Sequence, residues 1–391
     1  MGSNLDGGSY EKKTKGCLVV LKGRIDQRLL LSVLFLLGLG LVQVYSSSYI
    51  FATEKFGDGL FFFRKQFFFV VLSLFVIATL SLSPLKWVKR IGLGLWVLAV
   101  LGVLATYIPG VGVKVGGAHR WLQLPMGFRF EPAELLRVTY PFVLALLLVP
   151  FAKGSVDRRW WGAFALASFP LFFLLKQPDF GSFVICVGLI STLFMVFGLR
   201  IRFILLGLLA IVPAVSYILM SAPYRVARLK VFLNPWSDPS EKGFQVIQSL
   251  LSFYNGGISG VGLGLSQGKL FFLPEAHTDF TLAVLGEEMG FIGFLAVMLI
   301  YGFIVFRGFQ MTLQWKQYEE RALALGLTLV FSAGVFINTG VTLGVVPTKG
   351  LTLPMLSYGG SSLICTSFLL GSLLCLGREV FAQKKSSEIP D

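Results

Sequence analysis

The stretch FTLAVLGEEMGFIGFLAVMLIYGFIVF, Phe280–Phe306, runs for 27 residues with only Glu287 and Glu288 charged. A helix crossing a ~30 Å hydrocarbon core needs roughly 20 mainly apolar residues. This run is therefore long enough to span a bilayer. Comparable runs recur on both sides of it, at Leu29–Tyr45, Phe67–Leu82, Ile91–Ile108, Leu135–Phe151, Trp160–Leu175, Phe180–Phe197, Phe203–Met220, Ala322–Val346 and Leu356–Leu376. The pattern predicts an all-α polytopic membrane protein of about ten transmembrane helices. Composition agrees: 55% of residues are hydrophobic, 14% are charged and mean hydropathy is +0.77, values that belong to a chain solvated by lipid.

The net charge of +14 does not point to nucleic acid, because the basic residues lie scattered between apolar runs and form no single stripe or binding motif. Topology accounts for them. With both termini inside, 20 of the 34 Lys and Arg residues fall in cytoplasmic segments. The bias is clearest in the short links Lys86–Arg90, Lys153–Arg159 and Arg200–Arg202, where the positive-inside rule is strongest. The expected orientation is N-in, C-in. The first 28 residues read as a polar, basic cytoplasmic tail without a signal-peptide core. Residues 29–377 form one membrane domain, and 378–391 a second cytoplasmic tail. Cys17, Cys186, Cys365 and Cys375 lie far apart, without CxxC or His/Cys spacing, and read as space-filling residues.

Three external loops remain: Pro109–Pro132, the segment 221–278 between the seventh and eighth spans, and Val346–Met355. Loops longer than about 15 residues are commonly functional. In the longest, Phe244, Val246, Ile247, Leu250, Leu251 and Phe253 follow near-helical spacing, which predicts an amphipathic or re-entrant element. The run Gly256–Gly264 that follows is rich in glycine, but no strand precedes it, so it is a poor dinucleotide signal.

At Leu273-Pro274-Glu275-Ala276-His277-Thr278-Asp279-Phe280, followed by Gly286-Glu287-Glu288-Met289-Gly290, the sequence closely resembles the signature of the FtsW/RodA/SpoVE family. Further similarity lies at Gly117–Leu122, Pro132-Ala133-Glu134, Gln177–Gly181, Asn234–Pro239, Phe244–Ser249, Pro347–Pro354 and Ser357–Ser362, so the resemblance covers essentially the whole chain. Ala276, and Lys349 within a PTKGLTLP-type loop, look like the FtsW/SpoVE branch. One departure is Arg137, where the family more often has Lys; Arg keeps the charge and changes the donor geometry. The resemblance implies polymerisation of lipid II, an undecaprenyl-pyrophosphate-linked disaccharide peptide, into glycan strands at the outer face of the bacterial cytoplasmic membrane. It also implies a class B penicillin-binding protein transpeptidase and other division membrane proteins as partners, at the division septum. A lipid II flippase and a non-catalytic division scaffold are the competing functions.

Such a reaction needs an apolar groove, cations for a pyrophosphate and a base for a sugar hydroxyl. Asp279, where the long loop meets the eighth span, is the first choice for the base, since an ionisable group at membrane depth is a functional hypothesis by default. Helix capping by Thr278 or Asp279 competes with that reading. Glu287 and Glu288 point about 100° apart and lie roughly 12 Å below Asp279, which favours polar partners inside the bundle over a metal site. Asp179, at the turn between the fifth and sixth spans, reads equally as cap or functional carboxylate. Candidate substrate-binding residues are Arg120, Arg137, Arg225, Arg228 and Lys349 for the pyrophosphate, with Glu134, Asp179, His277 and Ser357. An ion pair within Glu134 and Arg137, spaced i,i+3, is a serious competitor. His277 is expected either to orient Asp279 or to make a plain loop hydrogen bond. Lys242 and Lys269 read as surface charges meeting headgroups. The Phe61–Phe63 and Phe67–Phe69 runs read as lipid-facing. No metal motif is present, and a divalent cation is left as a candidate cofactor.

Overall fold

A computed structural model of the chain describes residues 23–115, 118–123, 129–220, 232–239, 243–348 and 350–387. Every expected span is helical: α1 (Gln27–Phe56), α2 (Phe61–Leu82), α3 (Leu85–Ala105), α4 (Pro132–Ala152), α5 (Arg158–Lys176), α6 (Phe180–Val196) and α7 (Ile201–Met220), then α8 (Phe244–Gly256) in the long loop, and α9 (Thr281–Gln314), α10 (Tyr318–Thr342) and α11 (Gly360–Ser387). By length and composition, seven of the described helices could each cross a membrane, and α6 is a shorter apolar helix. The protein is an integral membrane protein. Large apolar side chains such as Leu31, Phe67 and Phe75 stay exposed on its outside, as expected where the surrounding solvent is lipid.

The core is one large apolar cluster, in which α4, α10 and α11 are the most enclosed elements, with two smaller clusters around Phe280 and Phe62. Helix α11 packs along α2, α4 lies between α3 and α10, and α9 packs against α10 and α1. Helix α1 outruns its apolar stretch by three turns because its polar residues turn inward or back-bond: Ser47 and Ser48 Oγ donate to the carbonyls of Gln43 and Val44 at 2.8 and 2.6 Å. Gly57, at φ 70°, then ends it in the left-handed conformation that a residue lacking Cβ adopts without strain. The last helix starts later than its apolar run, since Pro354–Gly359 form turns.

The loop after α3 is not irregular. It folds into a small antiparallel sheet, β1 (Gly112–Val115), β2 (Ala118–Gln123) and β3 (Arg129–Phe130), in that order, with Gly112 opposite Leu122 and Leu122 opposite Phe130. The spans are all helical, so the sheet is a departure confined to the loop.

Helix α9 is broken at Gly290, whose φ of 66° and ψ of −168° no helix contains. A break inside a membrane strands main-chain groups that lipid cannot satisfy. The glycine run of the long loop supplies their partners. Val261 and Gly262 N–H donate to the carbonyls of Glu287 and Glu288, both at 3.0 Å, while Phe291 and Ile292 N–H donate to the carbonyls of Gly257 and Ile258 at 2.9 and 3.1 Å. A Cβ at Gly260 would lie 2.2 Å from the Glu288 carbonyl. The run Gly256–Gly264 is thus glycine-rich because its backbone is spliced against a broken helix.

Candidate active site

Asp279 sits in a series of turns between Leu273 and the start of α9, partly exposed. The N-cap position of α9 is Phe280, with no side-chain cap, and Thr278 Oγ1 turns instead to the Glu275 carboxylate at 2.9 Å. The Thr278 hydroxyl is therefore turned towards Glu275 and away from the start of α9. The main chain of the motif is held from α10: Asn338 Nδ2 donates to the Asp279 carbonyl at 2.9 Å and to the Leu351 carbonyl at 2.5 Å. One buried amide thereby ties the aspartate to the loop after α10. On that loop Gly350 faces the carboxylate so closely that a Cβ there would lie 3.2 Å from Asp279 Oδ2. Lys349, the residue before it, lies outside the described residues, as do Arg225 and Arg228.

The ring of His277 is enclosed by Phe51, Phe62 and Tyr358, at centroid distances of 5.5, 4.8 and 5.8 Å. Its carbonyl accepts from Tyr358 N–H at 2.9 Å. Burial pushes the imidazole pKa below the usual 6.5, with the Glu275 charge opposing and the Lys55 charge assisting, so His277 is neutral at pH 7. Burial likewise pushes the Tyr358 phenol up to about 12. Phe62 thus turns inward onto this cluster, unlike Phe67 and Phe68, which stay exposed as expected of lipid-facing rings.

Ser357 closes the same loop: its Oγ accepts from Leu353 N–H at 3.0 Å and its carbonyl accepts from Gln66 Nε2 at 3.3 Å. Asp179 caps α6, accepting from Ser182 N–H at 3.3 Å. Arg120 reaches the preceding turn and donates to the carbonyls of Gln177 and Pro178 at 3.2 and 2.5 Å. Glu134 and Arg137 pair at 3.6 Å in the first turn of α4, and Arg137 Nε has no hydrogen-bond partner among the described residues. That Nε is buried, and only a small part of the guanidinium side chain is exposed.

The neighbouring carboxylates are built differently. Glu287 and Glu288 are 1% exposed. Glu287 accepts from Ser266 Oγ at 2.6 Å, Gln267 N–H at 3.1 Å and Gly268 N–H at 3.2 Å. Glu288 pairs with Lys269 Nζ at 3.0 Å and accepts from Ser46 Oγ at 2.6 Å. Lys269 corrects the expectation of a surface charge, because the α9 break leaves a buried carboxylate that requires a cation. Asn338 and Gln66 were not legible as site residues. For Asn338 the one available signal was an amide within an otherwise apolar run, whereas Gln66 directly follows Arg64-Lys65.

The family model FTSW_RODA_SPOVE, described as a cell cycle protein, matches residues 27–380. A relative from Halorhodospira halophila is 40% identical over 96% of both chains, and one from Geobacter metallireducens is 38% identical over 90% of this chain and 94% of its own. Both carry the name "Probable peptidoglycan glycosyltransferase FtsW". A solved chain from work on structural coordination of polymerization and crosslinking by a peptidoglycan synthase complex aligns at a TM-score of 0.72 with 29% identity, covering 91% of this chain and 98% of its own.

Proposed function

Since this chain belongs to the FtsW/RodA/SpoVE family, we propose that it is a peptidoglycan glycosyltransferase that polymerises lipid II, with Asp279 as its general base. The observation that carries the reading is the placement of Asp279: a partly exposed carboxylate whose main chain is clamped by Asn338 beside the loop bearing Lys349. In the reaction a sugar hydroxyl of one substrate attacks the anomeric carbon of another. Its oxygen forms the new glycosidic bond, its proton passes to Asp279, and the bond from the anomeric carbon to the pyrophosphate oxygen breaks. The departing pyrophosphate takes up negative charge, which external cations stabilise. Arg137, paired with Glu134 and partly exposed near the start of α4, and Arg225, Arg228 and Lys349 are the candidates. Arg120, committed to two carbonyls, serves better to hold the turn before α6. Among the described residues no three His, Cys, Asp or Glu side chains gather, so a divalent cation would take its ligands chiefly from the substrate's phosphates.

The Lys/Arg asymmetry supports an N-in, C-in orientation in the bacterial cytoplasmic membrane, with Asp279 outside. We place the protein at the division septum with a class B penicillin-binding protein as partner; the relatives' name and the crosslinking role of the similar complex support this. Purified protein, with and without that partner, should convert lipid II into glycan polymer. Transbilayer movement of lipid II, followed in the same preparation, separates this activity from a flippase. Movement without polymer would overturn the proposal.

A further inference from the structure

Arg24, Arg28, Arg307 and Arg378 line one cavity of about 910 Å³ at the end of the bundle away from Asp279. The cavity lies at the start of α1, and Phe51, which stacks on His277, is 24 residues beyond that start, about 36 Å along a helix. The orientation proposed above makes this the cytoplasmic side.

Among the described residues the only carboxylate lining the cavity is Asp26, and it is already used. One of its oxygens accepts from Leu29 N–H at 3.2 Å as the N-cap of α1, and the other takes Arg307 Nε at 2.8 Å together with Arg307 Nη2. Arg378 is only 3% exposed. Its Nη2 donates to the Ser83 carbonyl at 2.7 Å and to Glu379 at 3.2 Å, whereas its buried Nη1 has no hydrogen-bond partner among the described residues. A buried guanidinium N–H without an acceptor is costly. Close packing fixes the wall here, since a Cβ at Gly23 would lie 2.4 Å from the Arg378 carbonyl. Arg24 and Arg28 add exposed charge at the opening.

We propose that this cavity binds the phosphate headgroup of an anionic phospholipid from the membrane leaflet on that side, with Arg378 Nη1 as the buried donor and Arg24 and Arg28 at the rim. Guanidinium groups suit phosphate oxygens because they present paired donors in a plane. The same cavity is also lined by Leu30, Leu82 and Phe381. Leu82 and Phe381 remain exposed on the lipid-facing surface, so the glycerol and upper acyl chain have an apolar wall to follow. That wall distinguishes a lipid from free phosphate. The inference depends on the proposed orientation only for naming the leaflet.

The test uses full-length protein stripped of lipid in detergent. Binding of phosphatidylglycerol, of phosphatidylcholine with the same acyl chains and of inorganic phosphate is then measured by native mass spectrometry. Phosphatidylglycerol should be retained under conditions that remove phosphatidylcholine. Its affinity should fall at least about tenfold in Arg378→Gln and in the double variant Arg24→Gln/Arg28→Gln, as loss of charge-assisted hydrogen bonds implies. The double variant changes only exposed side chains, so it decides the matter if Arg378→Gln does not fold. Equal retention of the two lipids, wild-type affinity in the double variant, or displacement of the lipid by an equal concentration of inorganic phosphate would overturn the proposal. None of these results depends on polymerisation, so failure here leaves the reading of Asp279 standing.

Discussion

Asp279 and Glu288 lie nine residues apart in one motif, yet the protein treats the two carboxylates in opposite ways. Around Glu288 the side chain itself is fixed: Lys269 and Ser46 hold one oxygen, the residue is buried, and the helix beneath it is broken and spliced to the glycine run. Around Asp279 the main chain is fixed, by Asn338, while the residue stays partly exposed at the mouth of the bundle. The Glu288 carboxylate is buried behind the Lys269 and Ser46 contacts, out of reach of a substrate hydroxyl. Asp279, positioned through its backbone and partly exposed, lies within reach of a substrate at the mouth of the bundle. The comparison teaches that charge in the motif divides into a part that builds the scaffold and a part that works on substrate.

The largest expected effect on stability tests the scaffold half. Glu288→Gln leaves Lys269 buried without its counter-charge and should cost about 3–5 kcal/mol, seen as a lowered melting temperature in detergent. The double variant Glu288→Met/Lys269→Met should recover most of that loss, because two apolar side chains leave no orphaned charge. A single variant that melts like wild type would remove the structural role assigned to the pair.

Asn338→Leu sharpens the comparison from the other side. It leaves the Asp279 and Leu351 carbonyls without their donor, at about 1–3 kcal/mol each. The displacement of Asp279 should lower kcat more than it raises KM, since a ~1 Å misplacement can cost about 10²-fold in rate. Steady-state kinetics on lipid II would show the split. A change confined to KM would mean that Asn338 serves binding alone.

The smallest effect concerns His277. Its folded pKa lies below the unfolded value of about 6.5, so the unfolded chain binds more protons. Stability should therefore fall as pH drops below about 6.5 towards the lowered folded value. His277→Phe should flatten that part of the melting-temperature profile while packing against Phe62 and Tyr358. An unchanged slope would show that other groups set it.

Much of this was legible in the sequence and the remainder has physical reasons for having been hidden. Apolar runs exposed the helices because lipid admits few alternatives. The extension of α1 to Phe56 was hidden because Ser46, Ser47 and Ser48 read as a polar end, although they are turned inward or back-bonded. The motif pointed to Asp279 but not to Asn338, which reaches it across 59 residues of chain. Lys269 looked like a surface charge because its partner comes from a different element. Gly350 was quoted within a motif, but only the fold places it against the Asp279 carboxylate.

The central claim is tested most directly by lipid II polymerisation per folded molecule in Asp279→Asn and in Glu287→Gln, measured side by side with their melting temperatures. Asp279→Asn should melt near wild type and lose about 10²- to 10⁴-fold in rate, the contribution typical of a general base. Glu287→Gln, which weakens three hydrogen bonds to the 266–268 turn, should melt lower and polymerise within a few-fold of wild type. Polymerisation by Asp279→Asn within a few-fold of wild type would contradict the account.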